Sequence, residues 1–158
     1  MQEYKFNKEE NSEFLKNKKI AIIIANFYDD IGAKLLQGAK ETLNQYGCDK
    51  FDIFYVPGAF EVPLMAKNLA EKNYDGIVTL GAVIQGETPH FDFVCNECAS
   101  GISKVSDDYN IPVSFGVLTT NNMEQTLNRA GGKKGNKGVE ATIAMIEMLY
   151  LKEQLKNT

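Results

Sequence analysis

The chain reads as a three-layer α/β domain built on a four-stranded parallel sheet, and three observations carry that reading. Lys19–Ala25 is a continuous apolar run, the pattern of a strand buried on both faces. Four such runs alternate with segments whose apolar residues recur at helical spacing, which implies right-handed crossovers and a sheet covered on both sides. Glycines, aromatics and the single histidine gather just beyond those runs, where ligands sit in folds of this kind. With 158 residues, 44% of them hydrophobic, one core suffices. The expected organisation is an N-terminal arm over 1–18 and a single domain over 19–158.

The elements follow in order. Within the arm, Glu3-Tyr4-Lys5-Phe6 alternates like a strand, and either pairs with the sheet of a neighbouring subunit or remains a tail. After the first strand, Ile31, Leu35, Leu36, Ala39 and Leu43 form one helical stripe that stops near Gly47, a helix C-terminal signal. Phe51–Val56 is the second strand, Phe60–Lys72 a helix with Pro63 in its first turn, and Gly76–Leu80 the third strand. The turn Gly86-Glu87-Thr88 ends in a hydroxyl that can cap a helix, and Pro89 suits a first helical position. That helix runs to about Asp107 with Phe91, Val94, Cys95, Cys98, Ile102 and Val105 on its buried stripe. Pro112–Leu118 is the fourth strand; Asn121-Asn122-Met123-Glu124 resembles a capping box opening a short helix to Ala130. A glycine-rich loop over Gly131–Gly138 precedes a last helix from about Val139 to Leu155.

Charge and cysteines exclude several functions. Seventeen basic against twenty-one acidic residues leave a net charge of −4, and Arg129 is the only arginine, so nucleic acid is not the expected partner. The polar start lacks the apolar centre of a signal peptide and no apolar run reaches membrane-spanning length, which points to the cytoplasm and to no membrane partner. Three cysteines and one histidine do not make a zinc set. Cys95 and Cys98 have C-x-x-C spacing, but they lie more than a turn inside their helix and on its apolar stripe, where packing competes with redox chemistry.

His90 is the sole imidazole available for proton transfer near neutral pH; the alternative is a surface histidine at a helix end. It stands in the first turn, where the helix dipole and the carboxylates of Glu87 and Asp92 act on it in opposite senses. Phe27 and Phe60, at strand-to-helix turns, suit stacking on a planar heterocycle, with core packing as the alternative. Arg129-Ala130-Gly131-Gly132-Lys133-Lys134-Gly135-Asn136-Lys137-Gly138 joins a donor fork to glycines that let backbone N–H groups approach an anion, although a solvated basic loop has the same composition and the phosphate-loop order is absent. Two glycine turns, exposed aromatics, Glu61 and His90 on one rim favour a small-molecule pocket.

Four blocks now carry a resemblance: Val56-Pro57-Gly58-Ala59-Phe60-Glu61-Val62-Pro63-Leu64, Gly81 through Asp92, Pro112 through Thr120, and Arg129-Ala130-Gly131 with Gly135-Asn136-Lys137-Gly138. In this order they resemble the signature blocks of the lumazine synthases, and the likeness covers almost all of the chain after residue 19. The resemblance implies a flavodoxin-like domain and the condensation of 5-amino-6-(D-ribitylamino)uracil with 3,4-dihydroxy-2-butanone 4-phosphate to 6,7-dimethyl-8-ribityllumazine, phosphate and water, without metal or organic cofactor. It implies that Phe27 stacks on the pyrimidine, that Ala59, Phe60 and Glu61 hold its edge and ribityl chain, and that the backbone of Ala82, Val83 and Ile84 reads the uracil. Glu87 and Thr88, with Arg129, would bind the phosphate substrate, and His90 would move protons. Phe115 and Arg129 would come from a neighbouring subunit, with Lys137 and Glu140 as a supporting ion pair. A pentamer, a shell of twelve pentamers, and riboflavin synthase as a further partner belong to the same expectation. Asn26, Tyr28 and Gln85 depart from the family pattern, which leaves their polar contacts open while the aromatic at Phe27 is kept.

The chemistry agrees with these roles. An amine attacks a carbonyl, phosphate leaves and a second amine closes a ring, so several protons move but no hydride does; one imidazole suffices, and orientation of two reactive substrates can supply about 7–11 kcal/mol. Two rivals stand beside it: a flavin-binding or shell-forming protein without turnover, and a flavodoxin-like electron carrier. Keeping His90, Arg129 and Glu61 together argues against the first, and Gly32-Ala33-Lys34 lacks the hydroxyl-rich loop the second requires.

Overall fold

In the computed structural model, which describes residues 1–158, four parallel strands form one sheet in the order β2-β1-β3-β4. They are β1 (Ile20–Ala25), β2 (Phe51–Val56), β3 (Gly76–Ile84) and β4 (Val113–Thr120). Every residue of β1 is buried, because helices cover both sides of a central parallel strand. Its pleat divides the core: Ile20, Ile22 and Ile24 pack under α1 (Asp29–Gln45) and α5 (Lys137–Lys156), while Ala21, Ile23 and Ala25 face α2 (Val62–Ala70) and α3 (His90–Tyr109). The fold class read from the sequence is therefore the observed one.

The helix ends show why the chain turns where it does. Gly47, at φ 77°, lets helix α1 close with its own N–H on the Asn44 carbonyl and the Cys48 N–H on the Leu43 carbonyl, the reciprocal pair of a Schellman ending. Asn110, at φ 53°, ends α3. Its carbonyl accepts a hydrogen bond from the Lys152 ammonium on α5, so the last helix caps the third.

Several boundaries differ from the sequence reading. β3 runs four residues past Leu80, to Ile84, because β4 continues to pair with it as far as Ile84↔Thr120; Gly81 is a close approach to Ala25 of β1, not a stop. The helix expected over Phe60–Lys72 is a 3₁₀ turn, Ala59–Glu61, followed by α2 from Val62 to Ala70. The cap of α4 (Met123–Arg129) lies one residue later than expected: Asn122 Oδ1 accepts from the Gln125 N–H at 2.9 Å and Gln125 Oε1 from the Asn121 N–H at 2.8 Å. The loop expected over Gly131–Gly138 contains a small antiparallel hairpin, β5 (Ala130–Gly132) with β6 (Gly135–Asn136). α5 starts at Lys137, two residues early, because Asn136 Oδ1 caps it by accepting from Gly138 at 2.7 Å and Val139 at 3.3 Å.

The arm contains no strand. It has a 3₁₀ turn at Glu9–Asn11, and from Phe6 onward it is packed down: the Phe6 ring lies 5.6 Å from that of Tyr46 and 5.3 Å from that of Tyr150, and Leu15 is fully buried.

Helices α1 and α5 approach so closely that a Cβ on Gly138 would overlap the Leu35 carbonyl oxygen. Gly138→Ala is therefore expected to destabilise the fold by about 1–3 kcal/mol through overpacking, read as a lower urea midpoint. Gly86→Ala, with nothing within 4 Å of the added Cβ, should stay within about 0.5 kcal/mol of the parent.

Candidate functional site

Because all four strands run the same way, their carboxyl ends open on one rim, and the predicted site residues stand in two separate clefts: one on that rim, the other along β4, where Phe115, paired with Thr79 in mid-sheet, lies below the rim expected for it. The first, of about 620 Å³, has Ala82, Val83 and Ile84 at the end of β3. The turn after β1 contributes Phe27 and Tyr28, and the 3₁₀ turn after β2 contributes Ala59, Phe60 and Glu61. Thr88, His90 and Phe93 close the remaining side from the start of α3. Phe27 and Phe60 are 73% and 58% exposed, so these large aromatics serve the cleft and not the core, which resolves their alternative reading.

The electrostatics of this cleft come from few groups. His90 is exposed and its side chain has no hydrogen-bond partner within the chain, leaving both ring nitrogens free for a ligand. Its backbone N–H reaches Thr88 Oγ1 at 3.4 Å, a weak version of the expected cap, and Pro89 occupies the cap position itself. The Glu61 carboxylate folds back over the turn, 3.2 Å from where a Cβ on Gly58 would stand. Glu87 does not line the cleft; it stands exposed on the turn at its lip.

The second cleft, of about 300 Å³, holds Phe115, Arg129, Lys134, Lys137 and Glu140. A buried pair of hydroxyls, Thr120 Oγ1 and Thr126 Oγ1 at 2.6 Å, ties the end of β4 to α4 and so places Arg129. One guanidinium nitrogen donates to the Gln125 carbonyl at 3.1 Å, which leaves most of the donor fork free for an anion. Lys137 and Glu140 share this cleft without pairing: the ion pairs of the chain are Lys18–Glu153 and Lys104–Asp108. No group of three or more His, Cys, Asp or Glu residues is close enough to hold a metal ion.

Within one chain, then, Phe27, Ala59 to Glu61, Ala82 to Ile84, Thr88 and His90 come together, whereas Phe115, Arg129, Lys137 and Glu140 form a separate set. Sequence reasoning missed Phe93, 68% exposed and facing the first cleft. Its signal was available, since it falls three residues after His90 and off the apolar stripe.

Residues 17–153 match the family description 6,7-dimethyl-8-ribityllumazine synthase. A protein of that name from Ruthia magnifica subsp. Calyptogena magnifica is 62% identical over 96% of each chain. Another, from Vesicomyosocius okutanii subsp. Calyptogena okutanii, is 60% identical over the same shares.

Two of the cysteines, Cys48 and Cys98, belong to the core, and Cys95 is half-buried. Cys98 is fully buried among the α2–α3 side chains, and burial, with a contribution from Cys95, pushes its thiol up to about 12. Burial raises Cys95 and Cys48 as well. A thiol held neutral in the folded state contributes stability below its ordinary value near 9, and that contribution is lost as pH rises toward 12. A chromogenic thiol reagent at pH 8 should accordingly leave Cys98 unmodified in the folded protein and count all three thiols only after unfolding; rapid loss of two thiols from the native chain would restore the redox reading.

Proposed function

The chain belongs to the 6,7-dimethyl-8-ribityllumazine synthase family, and on that premise we propose that its two clefts are halves of one active site closed between adjacent subunits. It is a transferase of riboflavin biosynthesis, condensing 5-amino-6-(D-ribitylamino)uracil with 3,4-dihydroxy-2-butanone 4-phosphate to 6,7-dimethyl-8-ribityllumazine, phosphate and water. The observation that carries the two-subunit reading is the separation itself: His90 and the stacking aromatics line one cleft, Phe115 and Arg129 another.

In this reading Phe27 stacks on the pyrimidine and Ala59, Phe60 and Glu61 hold its edge and ribityl chain. The backbone of Ala82, Val83 and Ile84 pairs with the uracil, whose alternating donors and acceptors suit the N–H and C=O groups at the end of a strand. Phe115 of the neighbouring subunit covers the ring from the other side. The phosphate lies between the N–H groups of the Glu87-Thr88 turn and the neighbour's Arg129 fork, where Lys137 and Glu140 set the local charge. Once the two substrates are held side by side, the 5-amino group attacks the ketone. His90, unpartnered in the first cleft, takes the proton from that amine and returns protons as water and phosphate leave and the second amine closes the ring. Most of the acceleration then comes from orientation, and the imidazole speeds a reaction the cleft already favours.

The assembly proposed is a ring pentamer, with a shell of twelve pentamers built from it and riboflavin synthase as a further partner. Support comes from a groove of about 620 Å³ along β4 and α5, where Met148 and Leu155 are 57% and 69% exposed, a face better suited to a neighbour than to water. The outer edges of β2 and β4 carry no partner strand, so a neighbour's arm has somewhere to pair. No helix is long and apolar enough to cross a membrane, and three unpaired cysteines suit a reducing compartment; the cytoplasm is the proposed location.

Subunit mixing tests the shared site. His90→Ala alone should lower the turnover number about 10- to 100-fold, and Arg129→Ala alone should raise the Michaelis constant for the butanone phosphate far more than that for the pyrimidine. Co-assembled one to one, the two variants should regain activity above either parent, since about a quarter of sites would unite an intact His90 with a neighbour's intact Arg129. Activity no higher than the mean of the parents would put the whole site within one chain.

The native particle mass tests the assembly. Light scattering should report a closed particle of pentamers; a monomer would remove the shared site, and a stable lone pentamer would remove only the shell.

A further inference from the structure

Phe27 is exposed on the first turn after β1, with little around it to fix the direction of its ring. A loosely held aromatic is a poor stacking wall, because a ligand that uses it must first stop its rotation. The next residue changes this. Side chains of consecutive residues ordinarily diverge, yet the rings of Phe27 and Tyr28 lie 4.9 Å apart at 77°, an edge-to-face pair. Tyr28 is itself held: it is half-buried, packs against the α1–α5 core cluster, and its carbonyl accepts the Gly32 N–H at 2.9 Å at the start of α1. Its ring also lines the first cleft beside Phe27.

We propose that Tyr28 is the positioning residue of the stacking wall, transmitting the rigidity of the core to the exposed Phe27 ring and so setting affinity for the planar heterocycle. The inference rests on the reading of Phe27 given above. An edge-to-face pair leaves at least one face of Phe27 uncovered, so the contact that fixes the ring does not compete with the ligand for it. The phenol hydroxyl has no partner in the chain, so the ring, and not the oxygen, does the positioning. Tyr28 acts through Phe27 and takes no part in proton transfer.

Steady-state constants for both substrates, measured on the assembled enzyme, test this. Tyr28→Ala should raise the Michaelis constant for the pyrimidine about two- to tenfold, the range expected for losing one aromatic pair. The constant for the butanone phosphate and the turnover number should change less than twofold. Tyr28→Phe should restore the parent value, since it keeps the ring and loses only the hydroxyl. If the alanine variant does not fold, Tyr28→Leu keeps the apolar contact with the core and removes the edge-to-face geometry. Equal rises in both Michaelis constants, or a drop in unfolding temperature alone, would reduce Tyr28 to a structural residue. A Tyr28→Phe variant as weak as the alanine one would assign the effect to the hydroxyl and overturn the proposal. Phe27→Ala, measured in parallel, separates the two ideas: no effect there removes the stacking wall and this inference with it, while a large effect there with none at Tyr28 removes Tyr28 alone.

Discussion

Three parts of the chain meet at the side chain of Asn136. Its oxygen caps α5, and its amide nitrogen donates to the Lys34 carbonyl on α1 at 3.1 Å. Its body fills a space that exists only because Gly38 has no side chain, since a Cβ there would stand 2.7 Å away. One amide therefore fixes where the last helix begins, how close it lies to the first, and how the β5–β6 hairpin returns. Arg129 enters that hairpin, while Lys137 and Glu140 leave it on the first turn of α5. The second cleft thus depends on a cap and a close helix crossing, in which Gly138 and Gly38 remove the bulk that would hold the helices apart.

Most of the architecture was legible because it rests on burial. The β1 run of isoleucines could be satisfied only between two helical layers, and the stripe Ile31, Leu35, Leu36, Ala39, Leu43 had only one face to bury. What escaped depended on partners distant in sequence. Nothing around Gly81 says that β4 will carry β3 on to Ile84, and the shift of the α4 cap by one residue was decided by which of two asparagines could meet Gln125. The separation of Phe115 from Phe27 is of the same kind: Phe27 follows the end of β1, whereas Phe115 lies inside β4 opposite Thr79, and the sheet order puts β4 at one edge and β1 second from the other.

The two clefts also differ in chemical character. The first is walled by aromatics and small apolar residues, with His90, Glu61, Thr88 and Tyr28 as its few side chains that carry a polar group. The second concentrates Arg129, Lys134 and Lys137 in a chain whose overall charge is −4. A planar, largely neutral heterocycle suits the one surface and a phosphate the other. Neither cleft alone presents both.

The sheet side facing α1 and α5 has a temporal consequence. Ile20, Ile22, Ile24, Val78 and Leu80 are all synthesised before α5, yet α5, with fully buried Met145 and Ile146, provides much of their cover. Synthesis proceeds from the N-terminus at roughly 5–20 residues per second, so these side chains wait seconds on the ribosome with half their roof missing. A transcript cut short before Lys137 would release a chain with a nearly finished sheet and an open apolar face, and the cell's chaperones and proteases would meet it first. The same helix thus completes both the second cleft and the cover of the sheet.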